Sequence, residues 1–414
     1  MHPLIAAVLA LGPHAAEALA HAHDAPAAWV SMPALSMRAT AAAAPPKRVY
    51  GYLPYWENID LAAFRWDLVS DVVAFSAEIA ADGSVSNPHA LPGAALLSAA
   101  HAHGARVHIC ATLYNSAGGT EVSAFLANPV ARATALLQLV LLAPDGLNLD
   151  FEFVPATSRD AFTAFVQQLR AALPPSVELT LAMPATTGYS GYDVPALAAA
   201  TDRLLLMEYN WHWSTGPSAG AVAPLASVQD AVDGYLARAP AASIAMGVPY
   251  YGYEWPTSSA TAGAATTGAG SAVLFEATFA KFSVYGRIWD AAAQSPWYGF
   301  AVGGQTRQGW VEDGESLALK YRFARSRDLA GVMIWALGYD GTRSEAWTAL
   351  ESSFLSGSGN GPPPTVPAQG CSQAGAAPGW LLVLALLGRR RSGPYPGVHA
   401  RKSSWFRTST AWRR

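Results

Sequence analysis

Eight short apolar runs recur between Arg48 and Leu355, and helix-period stretches separate most of them. The runs are RVYGYL, DVVAFSAEI, RVHICATL, GLNLDFEFV, VELTLAMPA, RLLLMEYN, SIAMGVPYY and GVMIWAL. Strands that alternate with helices require parallel pairing through right-handed crossovers. Eight such units fit an α/β fold of the (β/α)8 TIM-barrel type, whose usual size is about 250 residues with insertions tolerated. The rival is an open doubly wound sheet, which needs a glycine-rich phosphate turn after its first strand. Here GYLPYWEN places Pro54 and Trp56 at that turn. The excess length lies between strands seven and eight, mainly Pro256 to Glu315, and contains the low-complexity stretch TSSATAGAATTGAGSA.

The helix-period stretches carry their own signals. In TSRDAFTAFVQQLRAAL, Thr157 stands three residues before Asp160, as in a capping box. Phe162, Phe165, Val166, Leu169, Ala172 and Leu173 then form one apolar stripe. SVQDAVDGYLARA repeats the capping logic with Ser227 and Asp230, and ESLALKYRFARSRD precedes the eighth strand.

The chain has 414 residues, of which 51% are hydrophobic and 13% charged, enough for a large core. A net charge of −3 with no long basic run in the main body excludes an electrostatic footprint for nucleic acid. The 14 Trp and 16 Tyr serve equally as core or as flat platforms for sugar rings. Cys110 sits in an apolar strand and Cys371 in a Pro/Gly-rich tail, so no disulfide framework is expected. No metal or cofactor is expected, and a monomer is.

The two ends read as address labels rather than as fold. Residues 1–20 resemble a secretory signal peptide, with cleavage-like alanines near Ala20 but no Lys or Arg before the apolar stretch. Residues 21–47, including His21 and His23, read as a flexible Ala/Pro-rich segment ahead of a barrel over 48–355. Residues 356–370 are a Gly/Pro linker. In 371–391, Cys371 precedes a short apolar run and the cluster Arg389, Arg390, Arg391, which resembles sorting tails of the myxosortase type and implies attachment to a membrane or cell surface. The run Trp380–Leu387 is shorter than the ~20 residues of a spanning helix. Residues 392–414 do not fit that tail and read as a disordered extension. The expected location is secreted or cell-surface.

The fourth run carries chemistry. Side chains two apart on a strand share a face. Asn148, Asp150 and Glu152 therefore line one side and Leu147, Leu149, Phe151 and Phe153 the other. Such alternation also occurs in half-exposed antiparallel strands with a wet polar face. In a barrel the site lies at the C-terminal strand ends. Those ends collect Tyr52, Tyr55 and Trp56 from strand one, Glu208, Tyr209, Asn210 and Trp211 from strand six, Tyr250, Tyr251, Tyr253, Glu254 and Trp255 from strand seven, and Trp335 from strand eight. Carboxylates ringed by aromatics suit a neutral polyhydroxylated ligand.

DGLNLDFE resembles the DGxDxDxE signature of glycoside hydrolase family 18, with Asn148 at the second acidic place. MEYN, GVPYYGYEW and GVMIWALGYD resemble that family's sixth, seventh and eighth strands, and IWDAAAQSPWYGF with EDGESLALKYRFA is closest to its cortex-lytic N-acetylglucosaminidase subgroup. The resemblance implies a retaining hydrolase of β-1,4-linked N-acetylglucosamine glycans, chitin oligomers or peptidoglycan, working by substrate-assisted catalysis. It implies Glu152 as general acid, Asp150 as the acid that orients the acetamido group, and Tyr209 as donor to the acetamido oxygen. Asp145, Asn148, Met207 and Asn210 would support them, and Trp335, Trp56, Tyr52, Trp211, Tyr250 and Trp255 would bind sugar. CATLYN stands where chitinases carry Ser-x-Gly-Gly, and Tyr253 where they often have Arg, which speaks against a standard processive chitinase. The competing reading is a non-catalytic lectin of the same fold, but such proteins usually lack the acid, and Glu152 and Asp150 are both present.

Overall fold

The structure is a computed structural model that describes residues 12–35, 47–116 and 119–356. The first eleven residues, Cys371, the sorting-type tail and the extension lie outside the described residues, as does the linker beyond Ser356.

All eight apolar runs are parallel strands. They are β1 (Arg48–Pro54), β2 (Asp71–Ile79) with its short antiparallel appendage β3 (Val85–Ser86), β4 (Arg106–Leu113), β5 (Gly146–Phe151), β6 (Glu178–Met183), β7 (Arg203–Leu206), β8 (Ile244–Pro249) and β14 (Gly331–Trp335). The order β1-β14-β8-β7-β6-β5-β4-β2, with β1 also pairing β2, closes the sheet into a barrel. Strands β9 (Tyr251–Thr257), β10 (Ser271–Leu274), β11 (Ile288–Asp290), β12 (Ser295–Val302) and β13 (Gln305–Trp310) form a separate five-stranded antiparallel sheet. The insertion between the seventh and eighth barrel strands is thus a small α+β layer, and its first strand, Tyr251–Thr257, begins at the last residue of the seventh run.

Helices α1 (Pro13–His21) and α2 (Ala28–Ser31) precede the barrel. Around it lie α3 (Ala94–Ala102), α4 (Glu121–Ala127), α5 (Pro129–Leu142), α6 (Arg159–Ala172), α7 (Val194–Ala200), α8 (Leu225–Leu236), α10 (Gly314–Ser326) and α11 (Glu345–Leu350), while α9 (Phe275–Tyr285) belongs to the insertion. On α6, Phe162, Phe165, Val166 and Leu169 are buried as the periodicity predicts, and Ala172 is exposed. The expected caps differ. Thr157 lies in a preceding 3-10 turn, α6 starts without a side-chain cap, and Ser227 falls inside α8, which begins at Leu225. The capping box forms instead on α10, where Asp313 accepts from the N–H groups of Glu315 and Ser316, and the Ser316 hydroxyl accepts from the N–H of Asp313.

The barrel interior is filled in layers, each two residues and about 6–7 Å above the last. At the bottom, Asp71 and Glu178 are bound by Arg48 and Arg106, with His108 at 3.0 Å from Asp71 and the Tyr50 hydroxyl donating to Glu178 at 2.6 Å. In the middle, Asn148 accepts from the Tyr52 hydroxyl at 2.8 Å and donates to Thr180 at 2.9 Å, and the Cys110 thiol lies 3.3 Å from its Oδ1. Cys110 is fully buried, as a small core residue should be. The top layer holds Asp150, Tyr209, Phe75 and Trp335.

Residues 21–35, expected as flexible chain, pack on the barrel. Trp29 is buried and donates its indole N–H to the Glu57 carbonyl at 2.8 Å, and Ala27 donates its N–H to the Tyr55 carbonyl at 2.7 Å. Trp29 supplies the reason, since a chain with a large aromatic gains by burying it.

Glu208 follows the strand alternation away from Tyr209. It is completely buried, neither carboxylate oxygen has a hydrogen-bond partner among the described residues, and burial pushes its pKa well above the ordinary value. The unfolded chain ionises near pH 4.3 while the folded one keeps the proton, so stability falls as pH rises from there toward the raised folded pKa. Glu208→Met is expected to add about 1–3 kcal/mol, since it removes an unpaired buried polar group. The gain should be larger at pH 7 than at pH 4 in urea unfolding.

Candidate active site

Strand β5 delivers the polar face that its alternation predicts. Leu147, Leu149 and Phe151 point outward, and Phe151 packs on Phe125, Phe162 and Phe165 of α4 and α6 at 5.4–6.0 Å. Asn148 and Asp150 point inward, and Glu152, one residue past the strand, is buried beside them. Asp150 and Glu152 bring carboxylate oxygens within 4.8 Å of each other. Burial, and secondly the Asp150 charge, hold the Glu152 pKa well above the ordinary carboxylate range. Asp150 Oδ1 and Glu152 Oε2 are both buried without a hydrogen-bond partner among the described residues, as is the Trp335 indole N–H. Unpaired buried polar atoms are rare and call for an explanation, of which a catalytic role is one.

Trp335 is fully buried and lies beneath the pocket, with Tyr52 at 5.5 Å and Phe75 at 5.0 Å between ring centroids. Tyr209 is buried, and one imidazole, that of His14, joins it to Asp150: Nε2 is 2.6 Å from the Tyr209 hydroxyl and Nδ1 is 2.7 Å from Asp150 Oδ2. Two residues here escaped the sequence reading. The Tyr114 hydroxyl donates to Asp150 Oδ2 at 2.7 Å. It belongs to the CATLYN segment at the C-terminal end of β4, a position that could have suggested it. His14 arrives from α1, and nothing local in the sequence points to it.

The supporting residues divide. Asn148 holds Tyr52, one layer below Asp150. Met207 is buried just past β7, where its N–H donates to the Met183 carbonyl at 2.9 Å. Asn210 has a left-handed φ of 59° and accepts from the Tyr251 and Tyr253 hydroxyls at 2.6 and 3.4 Å. Asp145 does not join the network. It precedes β5 at the opposite end of the barrel, 2.7 Å from His101 and accepting the Val107 N–H at 2.9 Å. Gly146 after it is required, because a Cβ there would lie 2.2 Å from the His108 ring.

The aromatic set also divides. Tyr52, Trp56 and Trp335 surround the pocket, and the half-buried Trp211 carries a buried indole N–H with no partner among the described residues. Tyr250 faces the helices instead, with its hydroxyl 3.0 Å from that of Tyr321 on α10. Trp255 is buried in the inserted sheet, where its indole N–H donates to the Trp213 and Ser214 carbonyls at 3.2 and 2.9 Å. Glu254 is likewise spoken for, by Lys281 at 2.7 Å and Arg307 at 3.0 Å. These three departures share a cause: the chain leaves the barrel after Pro249, so strand parity no longer reports which side faces the pocket.

Beside Glu152 an open hollow of about 330 Å³ is lined by Phe153, Val154, Pro155, Ala156 and Gly188–Gly191. Tyr189 is 40% exposed at its rim and meets Phe153 edge-on at 5.6 Å.

Two groups among the described residues bring three possible metal ligands within 4.8 Å: His14, Asp150 and Glu152, and Asp71, His108 and Glu178. Two guanidinium groups already neutralise the second. In the first, direct hydrogen bonds join the imidazole to Asp150 and Tyr209.

The sequence model of glycosyl hydrolases family 18 matches residues 125–340. A Bacillus subtilis protein, YdhD, named as a sporulation-specific glycosylase, is 31% identical over 288 residues, 65% of this chain and 66% of that protein. The cortical fragment-lytic enzyme of Bacillus subtilis is 27% identical over 220 residues, 50% of this chain and 49% of that enzyme. The chain therefore spans about half to two thirds of the length of these curated relatives. A chitinase from Chromobacterium violaceum superposes with a TM-score of 0.61 at 25% identity, covering 74% of this chain and 98% of that one.

Proposed function

The chain belongs to glycosyl hydrolases family 18, and from that premise we propose that it cleaves β-1,4 links of N-acetylglucosamine-containing glycans, with retention and through an oxazolinium intermediate. The carrying observation is the pair of buried, unpartnered oxygens, Asp150 Oδ1 and Glu152 Oε2, in one pocket over Trp335. Glu152, kept protonated by burial and by Asp150, protonates the glycosidic oxygen. Asp150 accepts the acetamido N–H, aims the acetamido oxygen at the anomeric carbon and stabilises the cation that forms. Tyr209 donates its hydroxyl proton toward the acetamido oxygen, and Tyr114 holds Asp150 in place. Ionised Glu152 then takes a proton from water as it opens the ring. The hollow past Glu152, with Tyr189 at its rim, offers room for a sugar unit beside the acid.

The likeness to a cortical fragment-lytic enzyme supports peptidoglycan as substrate, and that to a chitinase supports chitin oligomers. The cleavage-like site near Ala20 and the Cys371–Arg391 tail support action outside the cell. The mechanism is tested with chitotriose, purified peptidoglycan and a de-N-acetylated glucosamine trimer. Mass spectrometry should find cleaved product from an acetylated substrate and none from the trimer. Efficient cleavage of the trimer would remove the acetamido step. Binding without any product would leave a lectin.

A further inference from the structure

The pocket is not open to a glycan in this chain, because α1 is inside it. The helix enters with its N-terminus first. Gly12 is its N-cap and Pro13 its first residue, and the N–H groups of His14 and Ala15 donate to Glu152 Oε1 at 2.9 and 3.3 Å. A helix N-terminus carries free N–H donors, so a buried carboxyl oxygen is a natural acceptor for them. The His14 side chain occupies the groups to which the proposed mechanism assigns the sugar. Its ring stacks on Trp335 with centroids 3.9 Å apart and planes 24° from parallel, while its nitrogens take Asp150 and Tyr209. Farther along, Glu17 meets the Tyr339 hydroxyl at 3.2 Å, and His21 stacks on Trp56 at 4.3 Å and 7°. The Tyr55 hydroxyl donates to the His21 carbonyl at 2.5 Å. One peptide segment thus engages the acid, the orienting acid, the tyrosine and two of the sugar platforms named above.

We propose that residues 12–21 are an intramolecular ligand of the glycan cleft: the chain that carries them is latent, and their displacement or removal opens the site. The proposal rests on the glycan-cleft reading of the preceding section. It also gives the cleavage-like alanines a second consequence. Ala20 lies within α1 itself, so a cut there severs His14 from the barrel, and export and activation become one event.

The fit is close enough to be broken by one methyl group. A Cβ on Gly12 would stand 1.1 Å from Glu152 Oε2. The test uses the full chain in four forms: wild type, Gly12→Val, His14→Ala, and Leu19→Ala on the exposed side of α1, where Leu19 is 64% exposed. Chitotriose binding is read by calorimetry, turnover by product release, and seating of α1 by hydrogen exchange of its amides. Apparent affinity falls by the fraction of chains that are open. Gly12→Val and His14→Ala should therefore bind chitotriose at least roughly tenfold more tightly than wild type. Leu19→Ala should match wild type, and α1 amides should be protected in wild type and Leu19→Ala but not in Gly12→Val or His14→Ala. Fast exchange of α1 in wild type, with equal binding by all four forms, would overturn the plug and leave hydrolysis standing. Protection with tighter binding in the two variants but no turnover in any form would keep the plug and overturn the hydrolase reading.

Discussion

Glu152→Gln should lower kcat by about a hundred- to ten-thousand-fold, the range for losing a positioned general acid, while chitotriose binding persists. The comparison belongs in the Gly12→Val chain, so that α1 does not mask it. Glutamine keeps the size and can still donate a hydrogen bond, but it cannot transfer a proton to a departing oxygen. The pH profile separates this role from a structural one. The acid works only when protonated; with α1 seated, burial followed by the Asp150 charge raises its pKa, and the Asp150 charge remains when α1 leaves. The alkaline limb of the rate profile should therefore lie above the ordinary carboxylate range. Asp150→Asn removes the second cause, so whatever activity it retains should lose its alkaline limb at lower pH than the parent. An unmoved limb would place the titrating acid elsewhere.

Asp71→Ala should cost about 3–5 kcal/mol, the usual result of removing one partner from a buried ion pair, and lower the melting temperature by on the order of 10 °C. Asp71 is fully buried at the barrel bottom and faces Arg48 and His108. Burial alone would raise its pKa, but the hydrogen bonds and charges of His108 and Arg48 outweigh it and hold the group at about 2. The sign follows. An unfolded Asp titrates near pH 3.9, so the stabilisation is complete above that value and is lost as pH falls toward 2. Its size is on the order of 2–3 kcal/mol for a shift of this extent. Urea unfolding between pH 6 and pH 2 should therefore show a shallower acid loss in Asp71→Ala than in the parent. Equal slopes would mean that the cluster is not ionised as drawn.

Strand β5 shows why so much of the site could be read before any coordinates. Side-chain alternation is a property of the extended chain itself, so Asn148, Asp150 and Glu152 share a side wherever the strand is placed. Eight strand–helix units then leave few ways to pair them, and the mouth of a barrel is where such a face becomes a site. Asp145 marks the boundary of this logic. Five residues of strand put it about 16 Å below Asp150, although it belongs to the same motif. Tyr250 and Trp255 mark another, because they lie past Pro249, where the chain turns from the barrel into a different sheet.

The sequence by itself determined the barrel and the shared side of Asn148, Asp150 and Glu152, since period-two alternation and strand–helix succession are written within a few residues, whereas pairing Tyr209 and Trp335 with them took the family resemblance. Only the tertiary structure decided that Tyr114 holds Asp150 and that His14, 136 residues away in sequence, sits against the same oxygen. Contacts of that kind depend on which surfaces closure of the barrel brings together, and no local period encodes them.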